Sequence, residues 1–352
     1  MSQTHPSKVA LVAGASGIVG SQLATTLLQH SWQVIGLSSQ TPTRSSDFPM
    51  VHVDLLNPTH SAQALQPLNT VTHIFYSAWK NAANWAEMVE PNVAMLRHLV
   101  SEIAQVAPLQ MVSLMQGYKV YGAHLGRFKT PARESDPGVP GVEFNAEQLN
   151  WLQGFQRGKS WHWQAIRPGV VGSAISGNTM NLALSIAIYA SLCKAQGLPL
   201  RFPGSPQAWH SIVDHTDSGL LAAATVWAAT DDEARNQAFN VNNGDIWRWS
   251  ELWPAIAQWF DLECAYPVNL SFHQLFQDYR QLWLRLADHH HLKEPDLLRL
   301  NDGKFADFVF SWNYDMFGDG SKLRRAGFHH FQATDVMFFT LFSEFRSARI
   351  IP

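Results

Sequence analysis

The chain of 352 residues has only two cysteines, Cys193 and Cys264, too few for a disulfide framework and without the spacing of a metal-ligand set. Charge is scarce as well: Asp, Glu, Lys and Arg make up 15% of the residues, the formal net charge is -3, and no basic run occurs. Nucleic acid and anionic membrane surfaces are therefore excluded as partners, since neither would meet a positive footprint. The longest nearly apolar stretch, Leu182 to Cys193, is shorter than the roughly 20 residues of a bilayer span and reads as a buried helix. Met1 to Lys8 is polar and has no apolar signal core, so a cytoplasmic protein is expected. Histidines number sixteen, yet neither His289-His290-His291 nor His329-His330 has Cys, Asp or Glu at ligand spacing, and adjacent helical residues point in different directions. No metal is expected. Repeats and low-complexity linkers are also absent.

Aromatic residues are plentiful, with fourteen Trp and twenty Phe, many of them after residue 150. They read either as the wall of a pocket or as core packing. Short apolar runs at Lys8 to Ala13, Gln33 to Leu37, Met50 to Asp54, Thr72 to Ser77, Leu109 to Gln116 and Trp161 to Arg167 alternate with connecting stretches, several of helical periodicity. That rhythm predicts an α/β fold, a doubly wound parallel sheet of the Rossmann kind. Residues 1–172 form its dinucleotide-binding domain, completed by about 205–245. A smaller, mostly helical substrate-binding part takes 173–204 and 246–352, with one helix from about Asn178 to Gln196. Asp217 reads as a helix cap ahead of Leu220 and Leu221.

Gly14-Ala15-Ser16-Gly17-Ile18-Val19-Gly20 follows the first strand and opens a helix, the context in which a GxxGxxG spacing acquires meaning. Gly14 permits the tight turn, Gly17 lets the backbone approach a pyrophosphate, and Gly20 brings helix and strand together, while the helix N-terminus offers free N–H groups. After the second strand the chain reads Gly36-Leu37-Ser38-Ser39-Gln40, with Arg44 further on. No carboxylate stands there to bond a ribose or repel a 2′-phosphate, which favours NADP(H) over NAD(H). Asp54 is positioned either to receive an adenine amino group or to serve an ordinary turn.

The glycine motif, with Val71-Thr72-His73-Ile74-Phe75-Tyr76, Gln116-Gly117-Tyr118-Lys119-Val120-Tyr121-Gly122 and Ile166-Arg167-Pro168-Gly169, resembles the progesterone 5β-reductase and iridoid synthase-like family of extended short-chain dehydrogenases/reductases. Leu200-Arg201-Phe202-Pro203-Gly204 with Trp209, Ala238-Phe239-Asn240 with Asn243-Gly244-Asp245, and the closing Arg349-Ile350-Ile351-Pro352 extend the resemblance over nearly the whole chain. It implies NADPH-dependent 1,4-reduction of an enone or enal. Hydride arriving at the β-carbon pushes negative charge onto the carbonyl oxygen, which then needs a donor. Lys119 matches the family's catalytic lysine, and Tyr121 matches a tyrosine of the same motif that either assists or packs. The family's phenolic donor opens the next helix, where this chain reads Glu143-Phe144-Asn145-Ala146-Glu147-Gln148, with Asn145 at the tyrosine's place. The family's arginine after the second strand falls at Ser39 or Gln40.

The expected cofactor-binding set is Gly14, Ser16, Gly17, Ile18, Gly20, Ser38, Ser39, Arg44, Asp54, Leu55, Ser77, Lys119, Pro168 and Val170. Trp79, Met180, Asn181, Phe202 and Trp209 are the expected substrate contacts. The partner is a small hydrophobic carbonyl compound, with a homodimer left open. Two other readings stand beside the reductase: an NADP(H)-binding protein that has lost its chemistry, as Asn145 would permit, and a reductase or isomerase of another reaction type.

Overall fold

The computed structural model describes residues 8–39, 46–176 and 178–352, so Arg44 and Gln40 lie outside the described residues. Six strands open the chain: β1 (Val9–Ala13), β2 (Gln33–Ser38), β3 (Met50–His52), β4 (His73–Tyr76), β5 (Met111–Met115) and β6 (His162–Pro168). Each falls within two residues of its expected bounds. With Gln237–Val241 they form one seven-stranded sheet in the order (237–241)-β6-β5-β4-β1-β2-β3, all pairs parallel. The order reverses between β1 and β4, and ligands of open α/β sheets sit at the carboxyl ends of such a reversal.

Alternation along β1 shows why both faces are covered. Val9, Leu11 and Ala13 share a core with Leu96, Leu99, Val100 and Ile103 of helix α3 (Val89–Val106), whereas Ala10 and Val12 pack with Leu23, Ala24 and Leu27 of α1 (Ile18–Gln29). Ala222 and Val226, from the helix Ser218–Thr230, join the second face. Consecutive β residues thus serve opposite layers, and a continuous apolar run is the sequence signature of a strand buried on both sides.

The chain divides into two compact units. The first, with the sheet, ends its opening segment at Pro168 rather than at 172, resumes at 219–241 inside the expected 205–245, and takes in 319–329, which no sequence signal revealed. The second comprises 169–218, 242–318 and 330–352. Its α5 (Leu182–Gln196) is the apolar stretch expected to be a buried helix, and Leu182 through Cys193 are all buried. Among the described residues no helix is long and apolar enough to cross a membrane.

The aromatic bias of the later chain goes largely into this second core. Phe202 is 0% exposed, with ring centroids of Trp209, Trp253, Phe310 and Trp249 at 5.2, 5.4, 5.3 and 5.7 Å. Nearby, His215 is fully buried against Trp247, Trp249 and Phe338. Burial lowers its pKa from 6.5 to about 3. The group is neutral when folded and takes up a proton more readily when unfolded, so its contribution to stability is complete above about pH 6.5 and is lost as pH falls toward 3. Denaturant unfolding across that range should show stability declining with acid, and His215→Phe should flatten the decline. An equally steep loss in the variant would remove His215 as its source.

Candidate active site

Gly14 follows β1 with φ +81, and a Cβ there would lie 2.9 Å from Ala78 N and Ser77 C, at the end of β4. Its N–H donates to Leu37 O at 3.2 Å, at the end of β2. A Cβ on Gly20 would come within 2.2 Å of Gly14 O and 2.7 Å of Gly14 C. The turn and the first turn of α1 therefore touch backbone to backbone. Gly17 caps α1, no side chain bonds the helix N-terminus, and no acidic residue stands in its first turn. Bare amides beside a glycine turn are what a dinucleotide pyrophosphate requires, and the residues present fit one.

The other expected cofactor contacts divide. Ser16 is exposed on the turn, while Ile18, expected at the cofactor, is 7% exposed and faces the core. Ser77 gives both its amide (2.9 Å) and its hydroxyl (2.8 Å) to Ala13 O, tying the ends of β4 and β1 together. Ser38 ends β2, and the exposed Ser39 follows with its carbonyl 3.0 Å from His52 Nε2. Asp54 accepts the Leu56 amide at 3.0 Å, making it a turn residue before α2 (Pro58–Leu65), and Leu55 is buried. Pro168 closes β6, and Val170 lies buried in the short strand Val170–Gly172 of the second unit.

Beyond β5 the chain makes a short 3₁₀ turn, Tyr118–Tyr121, stopped by Gly122 at φ +81. Lys119 lies on it, its Nζ 4.5 Å from the ring centre of Trp85. Burial draws the Lys119 pKa below its ordinary value, and the Glu143 carboxylate opposes that shift. The His124 and Trp85 rings meet in a T-shaped arrangement, centroids 4.5 Å apart, and burial together with the Lys119 charge holds His124 near pKa 4.

A buried polar chain runs from this turn. Tyr121 OH donates to Asn240 Oδ1 (2.6 Å) and accepts from Arg167 Nη1 (3.0 Å), and burial pushes its pKa up to about 12. Arg167 Nε donates to Gln116 Oε1 (2.8 Å), and Gln116 Nε2 to the Asn145 carbonyl (2.6 Å). Tyr121, expected as a catalytic group, has its hydroxyl engaged on both sides, so its place is in this framework. Asn145, the second residue of α4 (Phe144–Gln156), is buried and donates from Nδ2 to Glu143 Oε1 at 2.5 Å. Glu143 caps α4, its Oε2 accepting the Ala146 amide at 3.0 Å, and is only 2% exposed. Sequence reasoning gave Glu143 no role. Its one signal was an acid directly ahead of a helix start, a weak one, because Ser, Thr, Asp and Asn are the usual caps.

A family model described as the PRISE-like Rossmann-fold domain matches residues 54–352. The chain belongs to this PRISE-like family. It is 30% identical over 365 aligned positions to the 3-oxo-Delta(4,5)-steroid 5-beta-reductase of Arabidopsis thaliana, covering 98% of this chain and 93% of that one. The (S)-8-oxocitronellyl enol synthase of Antirrhinum majus is likewise 30% identical, over 100% of this chain and 95% of its own. Among solved structures, a UDP-glucose 4-epimerase of Thermus thermophilus in complex with NAD superposes with a TM-score of 0.66 at 18% identity, covering 97% and 99% of the two chains. That similarity is one of fold. Membership makes this PRISE-like chain an enzyme of the short-chain dehydrogenase/reductase type.

Within the PRISE-like chain a Tyr-x-x-x-Lys spacing occurs once, from Tyr76 to Lys80. It crosses the end of β4 without helical structure, and the Tyr76 hydroxyl is buried among core residues with burial raising its pKa, so it offers no acid/base pair. Of the expected substrate contacts, Trp79 is 43% exposed just beyond β4 in the first unit, and Met180 and Trp209 are half-buried in the second. Two are corrected. Phe202 is sealed in the aromatic core described above. Asn181 is fully buried as the cap of α5, accepting the Leu184 amide at 3.1 Å and donating to the Ser173 and Ile175 carbonyls at 2.8 and 2.9 Å. Every polar atom of that side chain is used in holding the loop to its helix.

Gly20→Ala should abolish binding of a nicotinamide dinucleotide, measured by quenching of Trp fluorescence, because its Cβ can be housed only by moving the Gly14 backbone away from α1. A variant that binds the cofactor as wild type does would disprove the close approach.

Proposed function

We propose that this enzyme is an NADPH-dependent reductase that adds hydride to the β-carbon of a C=C bond conjugated to a carbonyl, in a small hydrophobic compound. The observation that carries the reading is Lys119, a partly buried cation just past β5, on the edge of the sheet where Gly14 and Ser77 also end their strands. The reductase named for the Arabidopsis relative supports the same class of chemistry. The chain from Ser38 to Ser46 holds no carboxylate and one arginine, Arg44, which supports NADP(H) over NAD(H).

NADPH bound at the glycine turn supplies the hydride. As the β-carbon is reduced, the π electrons move to the carbonyl oxygen, and the Lys119 ammonium stabilises the enolate through a charge-assisted hydrogen bond, about twice as strong as a neutral one. Because that charge develops only along the reaction, the stabilisation acts on the transition state. Water then protonates the α-carbon. Asn145 cannot supply that proton, since an amide does not ionise in this range and one of its N–H groups already serves Glu143.

NADP(H) should bind more tightly than NAD(H) in fluorescence titrations; the reverse order would refute the cofactor assignment. With an enone that wild type reduces, Lys119→Ala should lower kcat/KM by about a hundredfold or more, the usual scale for losing one such donor, and Asn145→Ala by much less. An unchanged rate in Lys119→Ala would exclude the lysine. If wild type and Asn145→Tyr bind NADPH yet leave a broad enone panel untouched, a cofactor-binding protein or another chemistry replaces the reductase.

A further inference from the structure

We propose that Trp85 is a positioning residue for Lys119: its indole face, with the ammonium nitrogen 4.5 Å from the ring centre, is the neutral partner that holds the lysine's charge in place beyond β5. The inference rests on the reading of Lys119 given above and adds to it the group that fixes the cation.

The segment that carries Trp85 is built to hold it. It crosses from β4 to α3, and two asparagines bind it. Asn92, fully buried in α3, accepts the Lys80 amide at 2.7 Å and donates from Nδ2 to the carbonyls of Lys80 and Met88 at 2.8 and 2.7 Å, so one side chain ties both ends of the crossing. Asn84 accepts the Glu87 amide at 3.0 Å and donates to the Glu87 carboxylate at 2.7 Å, which closes a turn around Trp85. The Met88 amide donates to the Trp85 carbonyl at 3.2 Å, and the His124 ring meets the indole at a centroid separation of 4.5 Å. On the lysine's side, the turn is ended by Gly122 and fixed through the hydrogen bonds of Tyr121. Ring and cation therefore meet from two separately anchored segments.

A separation of 4.5 Å is well inside the roughly 6 Å over which an aromatic quadrupole attracts a cation, and indole is the strongest natural ring for it. The attraction grows as water is removed. Burial draws the Lys119 pKa down, so the ring favours the ammonium where burial favours the amine, in the same direction as the Glu143 carboxylate. His124, the other titratable group beside the ring, is held near pKa 4 and brings no second positive charge at neutral pH. What distinguishes the ring from an anion is that it carries no charge of its own. It stabilises the ammonium without cancelling it, and the positive charge remains for the oxygen on which hydride transfer builds a negative one.

The test alters the quadrupole and leaves the shape. Mono-, di- and tetrafluorotryptophan, placed at residue 85 alone by amber-codon suppression, progressively withdraw electron density from the ring face with little change in its size. The titration of Lys119, read from ¹³Cε-lysine NMR of the whole protein and assigned by the signal missing in Lys119→Arg, should move stepwise to lower pH. From indole to the tetrafluoro ring the shift should be about one unit, a tenfold weaker hold on the proton. The alkaline limb of kcat/KM for an enone should follow it, because turnover requires the ammonium and is lost as pH rises through its pKa. A lysine that titrates at the wild-type pH across the series overturns the proposal, since the packing is the same in every member. The ring gives the second readout: the ¹⁹F signal of 5-fluorotryptophan at residue 85 should inflect at the pH where Lys119 titrates and lose that inflection in Lys119→Met. A signal without the inflection, or one that keeps it in Lys119→Met, also overturns the proposal. If the lysine titration follows fluorination while no enone is reduced, the pairing of cation and ring stands and the reductase reading falls.

Discussion

The constraint on which the rest of the first unit depends is a contact that only glycine permits: the first turn of α1 seated on the Gly14 carbonyl, leaving 2.2 Å between that oxygen and any Cβ at residue 20. Because the helix cannot stand farther from β1, Leu23 and Leu27 reach the face of the sheet made by Ala10 and Val12. The same contact holds the uncapped N-terminus of α1 over the end of β1. There the strand order reverses, with β4 leaving on one side and β2 on the other. Packing and binding geometry follow from one close approach, so a change that relaxes it cannot damage one and spare the other.

A second dependency runs across the carboxyl edge of the sheet. Asn145, Gln116, Arg167, Tyr121 and Asn240 form a continuous series of hydrogen bonds that joins α4, β5, β6 and the strand Gln237–Val241. Glu134 extends it by accepting the Asn240 amide at 2.7 Å. Buried polar groups of this kind are destabilising when any partner is missing and specify one arrangement when all are present. The turn that carries Lys119 is thus anchored two residues away, at Tyr121, which gives this loop position one defined arrangement.

The division between what was legible in the sequence and what was not follows the range of the interactions. Strands buried on both faces are continuous apolar runs, and the glycine turn depends on residues within seven positions of one another, so both could be read locally. The reading of Lys119 rests on a motif that is likewise compact. Phe202 was misplaced because an aromatic beside a Pro-Gly turn looks the same whether it lines a cavity or fills a core, and only Trp253 and Phe310, far along the chain, decide between them. Asn181 was misplaced because an asparagine that caps a helix and one that binds a ligand present the same side chain. Glu143, the cap of α4, is a residue type seldom used in that place, so no local pattern announced it.

Replacement of a phenol by an amide removes a proton source, but it need not remove the stabilisation of an enolate, because the two depend on different properties. Proton donation requires a group that ionises in range, and Asn145 has none. Stabilisation requires a fixed positive charge in a place poor in water, where neighbouring dipoles are already oriented and need not reorganise as the reaction proceeds. Burial alone would have eroded that charge by favouring the neutral amine. The Glu143 carboxylate, itself held by the Asn145 amide, opposes that shift. Under the proposed reductase reading, the carbon end of the reaction takes its proton from water, a step that calls on no side chain of the chain's own.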